Sequence, residues 1–271
     1  DLLAAHPGAR PLAGGQSIVN VLKLRAAEVE ALIDVSRLEE LRRVEPTADG
    51  GLEIGAGVRY AELAADPLVR ERFAVIAEVA DGTVDVQVRN RGTLGGNICF
   101  NDPTSNFPPL LVALDATVLV AGPGGAEREV PAEEFLVGPL RVDLAPGELV
   151  RAVRFPGLPA DAGVGYETLQ LARDSWALAR GVAFVQANGT VSEARIVLGC
   201  LGPRPTRQAA MEEALRGTAG DEASIDAAVA AAIDADAVSD SHASAEYRFE
   251  MARVYARRAI AKAMAQTGDH A

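Results

Sequence analysis

Two double-glycine segments, about eighty residues apart, are the parts of this 271-residue chain best suited to chemistry. The first is Ala13-Gly14-Gly15-Gln16-Ser17. The second, Thr93-Leu94-Gly95-Gly96-Asn97, sits inside the run from Arg89 to Ile98. Glycine has no Cβ, so its backbone comes close to a ligand and adopts positive φ, and successive unbonded N–H groups make a concave anion site. Gln16, Ser17 and Thr93 add side-chain donors, and the Asn97 amide both donates and accepts. The segment after Ser17 could set a helix N-terminus on a phosphate. Two such loops could close on one diphosphate from both sides, which makes a large phosphate-bearing cofactor the first hypothesis. A second reading stays open for each: an ordinary glycine-pair turn for the first, and for the second a glycine corner where two stretches of backbone pack closely.

Other chemistries lack a signature. Neither G-x-G-x-x-G nor G-x-x-x-x-G-K-[ST] occurs. The cysteines, Cys99 and Cys200, form no C-x-x-C, so the chain has no zinc or iron–sulfur signature of its own. Cys99 reads as a small apolar residue. His6 precedes a proline, His242 sits in a helix-capping segment and His270 in the tail. The carboxylates are scattered, and no nucleophile–base arrangement is visible, so no residue is assigned a catalytic or metal-binding role. A cofactor cradle without acid, base, nucleophile or metal points to redox work done by the cofactor itself. A net charge of −12 with no basic stretch argues against nucleic acid. No apolar run reaches the about 20 residues of a membrane span, no signal peptide is visible, and a cytoplasmic location is expected. Asp1 to Pro7 reads as the end of a helix already under way, as though a short piece preceded it.

The elements that must position these segments alternate in type. Pro11-Leu12-Ala13 leads into the first glycine segment, and Ala31 to Val35 has a buried-strand pattern. Leu52 to Val58 alternates as a strand does. Tyr60 to Ala65 and Pro67 to Ala80 read as helices, with Pro67 in a first turn. Leu110 to Leu114 suggests a short helix, while Ala116 to Ala121 and Leu149 to Phe155 read as strands. The stretch Pro156-Gly157-Leu158-Pro159 is the best domain boundary. Beyond it come strands over Val164 to Ala172, Arg180 to Ala187 and Val191 to Leu198, the last two joined by the hairpin signal Asn188-Gly189. Helices follow over Arg207 to Arg216, Ile225 to Ile233 and Ser244 to Gln266, the last with Tyr247, Met251 and Val254 as its apolar stripe. Strands first and helices after is an α+β signature.

The residues also resemble a known family. Ala9 to Ser17, Lys23-Leu24-Arg25 and Arg89 to Asn97 are similar to the FAD-binding medium subunit of the molybdenum hydroxylases, the carbon monoxide dehydrogenase, xanthine dehydrogenase and aldehyde oxidase relatives. Asp102-Pro103, Pro108-Pro109, Ala113 to Ala116, Gly147-Glu148-Leu149, Ala194-Arg195-Ile196, Ser244 to Arg248 and Arg257-Arg258-Ala259 continue the match over nearly the whole chain.

The resemblance implies an α+β fold: a two-lobed FAD-binding domain over residues 1–158, with a small α/β lobe at about 1–50 and a larger mixed lobe at 51–158, then a C-terminal domain over 159–271 of a three-stranded antiparallel sheet and three helices. It implies an FAD site of Leu12, Ala13, Gly14, Gly15, Gln16, Ser17 and Ile18 on one side and Thr93, Gly95, Gly96 and Asn97 on the other. Asn106, Leu149, Val150 and Tyr166 would lie by the ribityl chain or the flavin ring. It further implies electron transfer within a heterotrimer, assembled as a dimer of heterotrimers. A small subunit would carry two [2Fe–2S] clusters and a large subunit the molybdenum cofactor. The family usually has Asp at Asn106, often Lys at Thr168 and Gly at Asp85; these departures bear on flavin tuning. A stand-alone nucleotide-binding or regulatory module is the alternative. A single-chain flavin oxidase is a third reading, with Cys99 as the only thiol near the segments.

Overall fold

The computed structural model describes residues 2–83, 85–172 and 175–268, so His270 lies outside the described residues. The chain divides into two compact units: Asp1–Asp102 with Asp115–Gly157, and Pro103–Leu114 with Leu158–Ala271.

The first unit starts with α1 (Leu2–Ala5), β1 (Ala9–Leu12), α2 (Ile18–Lys23) and β2 (Ala31–Asp34). Strands β1 and β2 are parallel, with Leu12 opposite Asp34; parallel neighbours need a crossover, and α2 lies in that connection. The burial expected over 31–35 is not found. Ala31, Leu32 and Asp34 are exposed and only Val35 is buried. Two strands beside a six-residue helix have little to bury a strand with.

Next come β3 (Val44–Pro46), β4 (Leu52–Gly55), α3 (Tyr60–Ala65), α4 (Pro67–Arg72), α5 (Ala74–Asp81), α6 (Val86–Arg89), α7 (Leu94–Phe100), α8 (Phe107–Ala113), β5 (Thr117–Ala121), β6 (Glu127–Pro131), α9 (Ala132–Phe135) and β7 (Leu149–Phe155). Five of these strands form an antiparallel sheet in the order β3-β4-β7-β5-β6. Pro67 does open α4, and Asp66 caps it by accepting from the Leu68 and Val69 N–H groups at 2.9 and 3.0 Å. The helix expected over 67–80 breaks at Phe73, which leaves helical geometry at φ −141° and ψ 63°. Its buried ring packs on that of Phe155 with centroids 5.8 Å apart.

In the second unit, α8 is joined by β8 (Ala162–Gln170), β9 (Ala177–Ala187), β10 (Val191–Gly199), β11 (Thr206–Arg207), α10 (Ala209–Leu215), α11 (Glu222–Val229) and α12 (Ala245–Met264). The three long strands are antiparallel, and the two-residue β11 adds an edge to β10. Asn188-Gly189 makes the β9–β10 turn, with Gly189 at φ +73°. Ser244 caps α12 by accepting the Tyr247 N–H. The stripe Tyr247-Met251-Val254 is corrected: Tyr247 and Val254 are exposed, and the buried face is Arg248, Ala252, Tyr255, Ala256, Ala259, Ile260 and Ala263. The helix rests on a glycine track. A Cβ on Gly163, Gly165 or Gly181 would lie 2.0, 1.9 or 2.4 Å from the Ala263, Ala259 or Tyr255 carbonyl oxygen. Small residues on both sides allow that approach, so alanines make up most of the stripe.

No helix among the described residues is long and apolar enough to cross a membrane.

Candidate functional site

The first glycine segment is the turn that leaves β1 and enters α2. Leu12 ends the strand, Ala13 to Ser17 form the turn and Ile18 opens the helix, all of them half-buried. Gly15 has φ +75°, the left-handed region that favours glycine. The carbonyls from Gly14 to Ser17 are engaged. Gly15 accepts the Val19 N–H at 3.3 Å and Ser17 the Val21 N–H at 3.1 Å. Gln16 accepts Asn20 Nδ2 at 2.9 Å. The Gly14 carbonyl accepts both Gln16 Nε2 at 3.2 Å and Arg91 Nε at 3.3 Å.

The amides behave differently. Among the described residues, the N–H groups of Gly14, Gly15, Gln16 and Ser17 have no acceptor in the chain. Ser17 occupies the N-cap of α2 without its hydroxyl making a cap bond. A run of half-buried backbone donors needs an outside acceptor, and successive N–H groups around a left-handed residue make a concavity for an anion. This turn also lies at the C-terminal end of a parallel strand, where open α/β sheets bind ligands. The residues therefore fit a cofactor diphosphate.

The second segment is corrected from a loop with bared amides to the first turn of a helix. Gly95, Gly96 and Asn97 belong to α7, and Thr93 is its N-cap. Each donor is taken: Leu94 N–H by Val58 O at 3.0 Å, Gly95 by Ala56 O at 2.8 Å, Gly96 by Thr93 Oγ1 at 3.1 Å and Asn97 by Thr93 O at 3.0 Å. Thr93 thus accepts here through its hydroxyl. Gly95 is required by packing, since a Cβ would lie 2.5 Å from the Ala56 Cβ. What this turn can offer a ligand is the exposed backbone of Gly96 and the half-buried Asn97 side chain. The Asn97 side chain is hydrogen-bonded to the Tyr60 hydroxyl, whose pKa burial pushes up.

The two segments do meet, through the flank of the second. A Cβ on Gly14 would lie 1.9 Å from the Arg91 carbonyl oxygen and 3.1 Å from the Gly92 Cα. Gly92 in turn accepts the Tyr60 N–H at 3.1 Å. Nearby in sequence, burial pushes the Cys99 thiol up to about 12, so it is protonated at neutral pH and a poor nucleophile.

The remaining candidates are spread over both units. Leu149 opens β7 half-buried, and the Val150 side chain is fully in the core of the first unit. In the second unit, Asn106 precedes α8 and Tyr166 lies on β8. The Tyr166 hydroxyl donates to the Asn106 carbonyl at 3.3 Å. The Asn106 side-chain oxygen accepts Arg180 Nη2 at 2.7 Å, and Arg180 Nη1 reaches the Thr104 and Ser105 carbonyls at 3.1 and 2.5 Å. The Arg180 guanidinium also lies 5.5 Å from the Tyr166 ring centroid. Arg180 is 1% exposed, and no carboxylate among the described residues pairs with it. Buried charges normally have a counter-charge; here neutral oxygens and an aromatic face stand in. Thr168, opposite Arg180 in the strand register, has a buried hydroxyl with no partner among the described residues. Asp85 caps α6 through the Gln87 N–H.

Sequence reasoning missed Arg180 and Arg91 as members of these groups. Arg91 stood within the quoted run, but only the fold brings its side chain to Gly14. Nothing local pairs Arg180 with Asn106.

Comparison with known proteins adds the family. The FAD binding domain in molybdopterin dehydrogenase matches residues 1–158, and the CO dehydrogenase flavoprotein C-terminal domain matches residues 166–263. The chain is 35% identical to the carbon monoxide dehydrogenase medium chain of Hydrogenophaga pseudoflava, over 95% of this chain and 90% of that one. It is 32% identical to the glyceraldehyde dehydrogenase medium chain of Sulfolobus acidocaldarius, over 95% and 92%. Among solved structures, a carbon monoxide dehydrogenase from Hydrogenophaga pseudoflava that lacks the Mo-pyranopterin moiety superposes with a TM-score of 0.93 at 36% identity, covering 98% of this chain and 93% of that one.

Proposed function

The chain belongs to the FAD-binding family of the molybdopterin dehydrogenases, and on that premise we propose that it is the electron-transfer subunit of a heterotrimeric molybdenum hydroxylase. It is the flavin subunit of a multi-subunit oxidoreductase, and FAD is its cofactor. In the proposal it takes electrons from the [2Fe–2S] clusters of a small partner and passes them to an external acceptor. A large partner holds the molybdenum cofactor and oxidises the substrate. The assembly is a dimer of heterotrimers in the cytoplasm. The two-domain reading, residues 1–158 for FAD and 159–271 for the C-terminal domain, is supported by the family matches over 1–158 and 166–263, although Pro103–Leu114 groups with the second compact unit.

The observation that carries the FAD site is the row of unbonded amides from Gly14 to Ser17 at the end of β1. These amides, with the Ser17 hydroxyl, are proposed to hold the diphosphate. Leu12, Ala13 and Ile18 shape the turn. Thr93 and Gly95 fix the neighbouring helix turn, while Gly96 and Asn97 offer contact surface. Leu149 and Val150 are kept in the proposal on the family resemblance, as are Asn106 and Tyr166 in the second unit. When bound, FAD supplies storage for two electrons between single-electron donors and the acceptor. No residue of the chain need donate or remove a proton for that role. The protonated Cys99 thiol disfavours a covalent tether, so flavin should leave on denaturation.

Purification tests the reading. The chain should carry an oxidised-flavin absorption spectrum and co-elute with an iron–sulfur chain and a molybdenum chain. A colourless protein that takes up no added FAD overturns it, and a lone stable monomer returns the stand-alone module.

A further inference from the structure

We propose that Arg91 sets both the orientation and the charge of the phosphate cradle, and so makes the first glycine turn select a diphosphate-bearing flavin over an uncharged one. The inference rests on the FAD reading above.

Orientation comes first. In a trans peptide the carbonyl and the following N–H point in opposite directions. The Gly14 carbonyl and the Gly15 N–H share one peptide. Two side chains, Gln16 Nε2 at 3.2 Å and Arg91 Nε at 3.3 Å, hold that carbonyl. Holding it fixes the Gly15 N–H on the other side, where among the described residues no acceptor of the chain meets it. The backbone of Arg91 presses on the same glycine, since its carbonyl oxygen occupies the space a Gly14 Cβ would need. One residue therefore grips the Gly14 peptide by side chain and main chain together.

Charge comes second. Arg91 is exposed, and its Nη atoms have no hydrogen-bond partner among the described residues. This contrasts with Arg128, Arg151 and Arg154 of the same unit, whose terminal nitrogens are paired with carboxylates. The guanidinium stands where β1 and β2 end, close enough to Asp34 for its charge to be felt there. Asp34 offsets part of that charge but also accepts from the Ser36 N–H at 2.9 Å and feels the charge of Arg37. An arginine fork is shaped for phosphate oxygens.

The test uses the full chain freed of flavin, with FAD and riboflavin as probes. Wild type, Arg91→Lys and Arg91→Met are titrated at low and high salt, and circular dichroism checks folding. Removing a charge-assisted bond should weaken FAD binding of Arg91→Met by roughly tenfold or more, with riboflavin affinity unchanged. Arg91→Lys should recover part of the loss, because it restores the charge but not the Nε contact. Salt should weaken FAD binding to wild type more than to Arg91→Met. Equal FAD affinity in wild type and Arg91→Met overturns the inference, as does an equal loss for riboflavin. Should Arg91→Met not fold, salt dependence in the wild type decides: a salt-independent FAD affinity overturns the inference. A wild type that binds no FAD at all contradicts the parent reading instead.

Discussion

The two glycine pairs look alike in sequence and do different work. At Gly14-Gly15 the carbonyls are bonded and, among the described residues, the amides are not; at Gly95-Gly96 every amide from Leu94 to Asn97 is bonded. The first pair leaves a turn with donors for a ligand. The second starts a capped helix, and Gly95 is there because Ala56 allows no Cβ. A glycine pair by itself thus marks where backbone is bare. Whether a ligand or another part of the chain uses that bareness depends on where the N–H groups go.

The largest expected effect is at the point where the segments touch. Gly14→Ala would drive a Cβ to 1.9 Å from the Arg91 carbonyl oxygen, and both are main-chain-constrained. It should cost about 3 kcal/mol of stability, the upper end for overpacking, and release the flavin as well. Gly95→Ala meets Ala56 instead and should lose a comparable amount of stability without removing a ligand donor. Thermal melts with flavin content measured in parallel separate the two; flavin fully retained in a folded Gly14→Ala protein would break the contrast.

A smaller effect sharpens it. Thr93→Ala removes the acceptor of the Gly96 N–H, and losing such a cap costs about 1 kcal/mol. Because the second turn is proposed to act mainly through packing, denaturant midpoints should fall while FAD affinity moves little. An affinity loss larger than the stability loss would assign the Gly96 amide to the ligand.

The smallest effect concerns pH at the first turn. The Ser36 side chain and amide, then the charges of Arg37 and Arg91, hold the Asp34 carboxyl below its usual range. A depressed carboxylate contributes fully above its ordinary value near about 3.9 and loses that contribution as pH falls through the lower, folded value. Wild type and Asp34→Asn should therefore differ in melting temperature by a constant amount from pH 5 to 8 and converge only below about pH 4. A difference that changes between pH 6 and 8 would refute this electrostatic picture.

Much of the fold was legible because its signals are local. Val118 and Val120 in β5, the strand ending at Phe155 before Pro156 and the Asn188-Gly189 turn all follow from neighbouring residues. The misses are tertiary. Two glycines in succession argue against a helix, yet the Thr93 cap and the close backbone of Ala56 impose one on Gly95-Gly96. Helix α12 packs on Gly163, Gly165 and Gly181, so alanines dominate its buried face beside Arg248, Tyr255 and Ile260, and Tyr247 and Val254 are exposed. At the candidate site, the first turn could be read from Gly14 and Gly15 themselves. Arg91 and Arg180 could not, since each is defined by a partner 77 or 74 residues away.

Amide hydrogen exchange on the flavin-free chain, before and after adding FAD, tests the contrast most directly. The account predicts fast exchange at Gly14 to Ser17 that slows strongly when FAD is added, against slow exchange at Gly95 to Asn97 from the start. No slowing at Gly14 to Ser17 on FAD binding, or protection that appears at Gly95 to Asn97 instead, would contradict it.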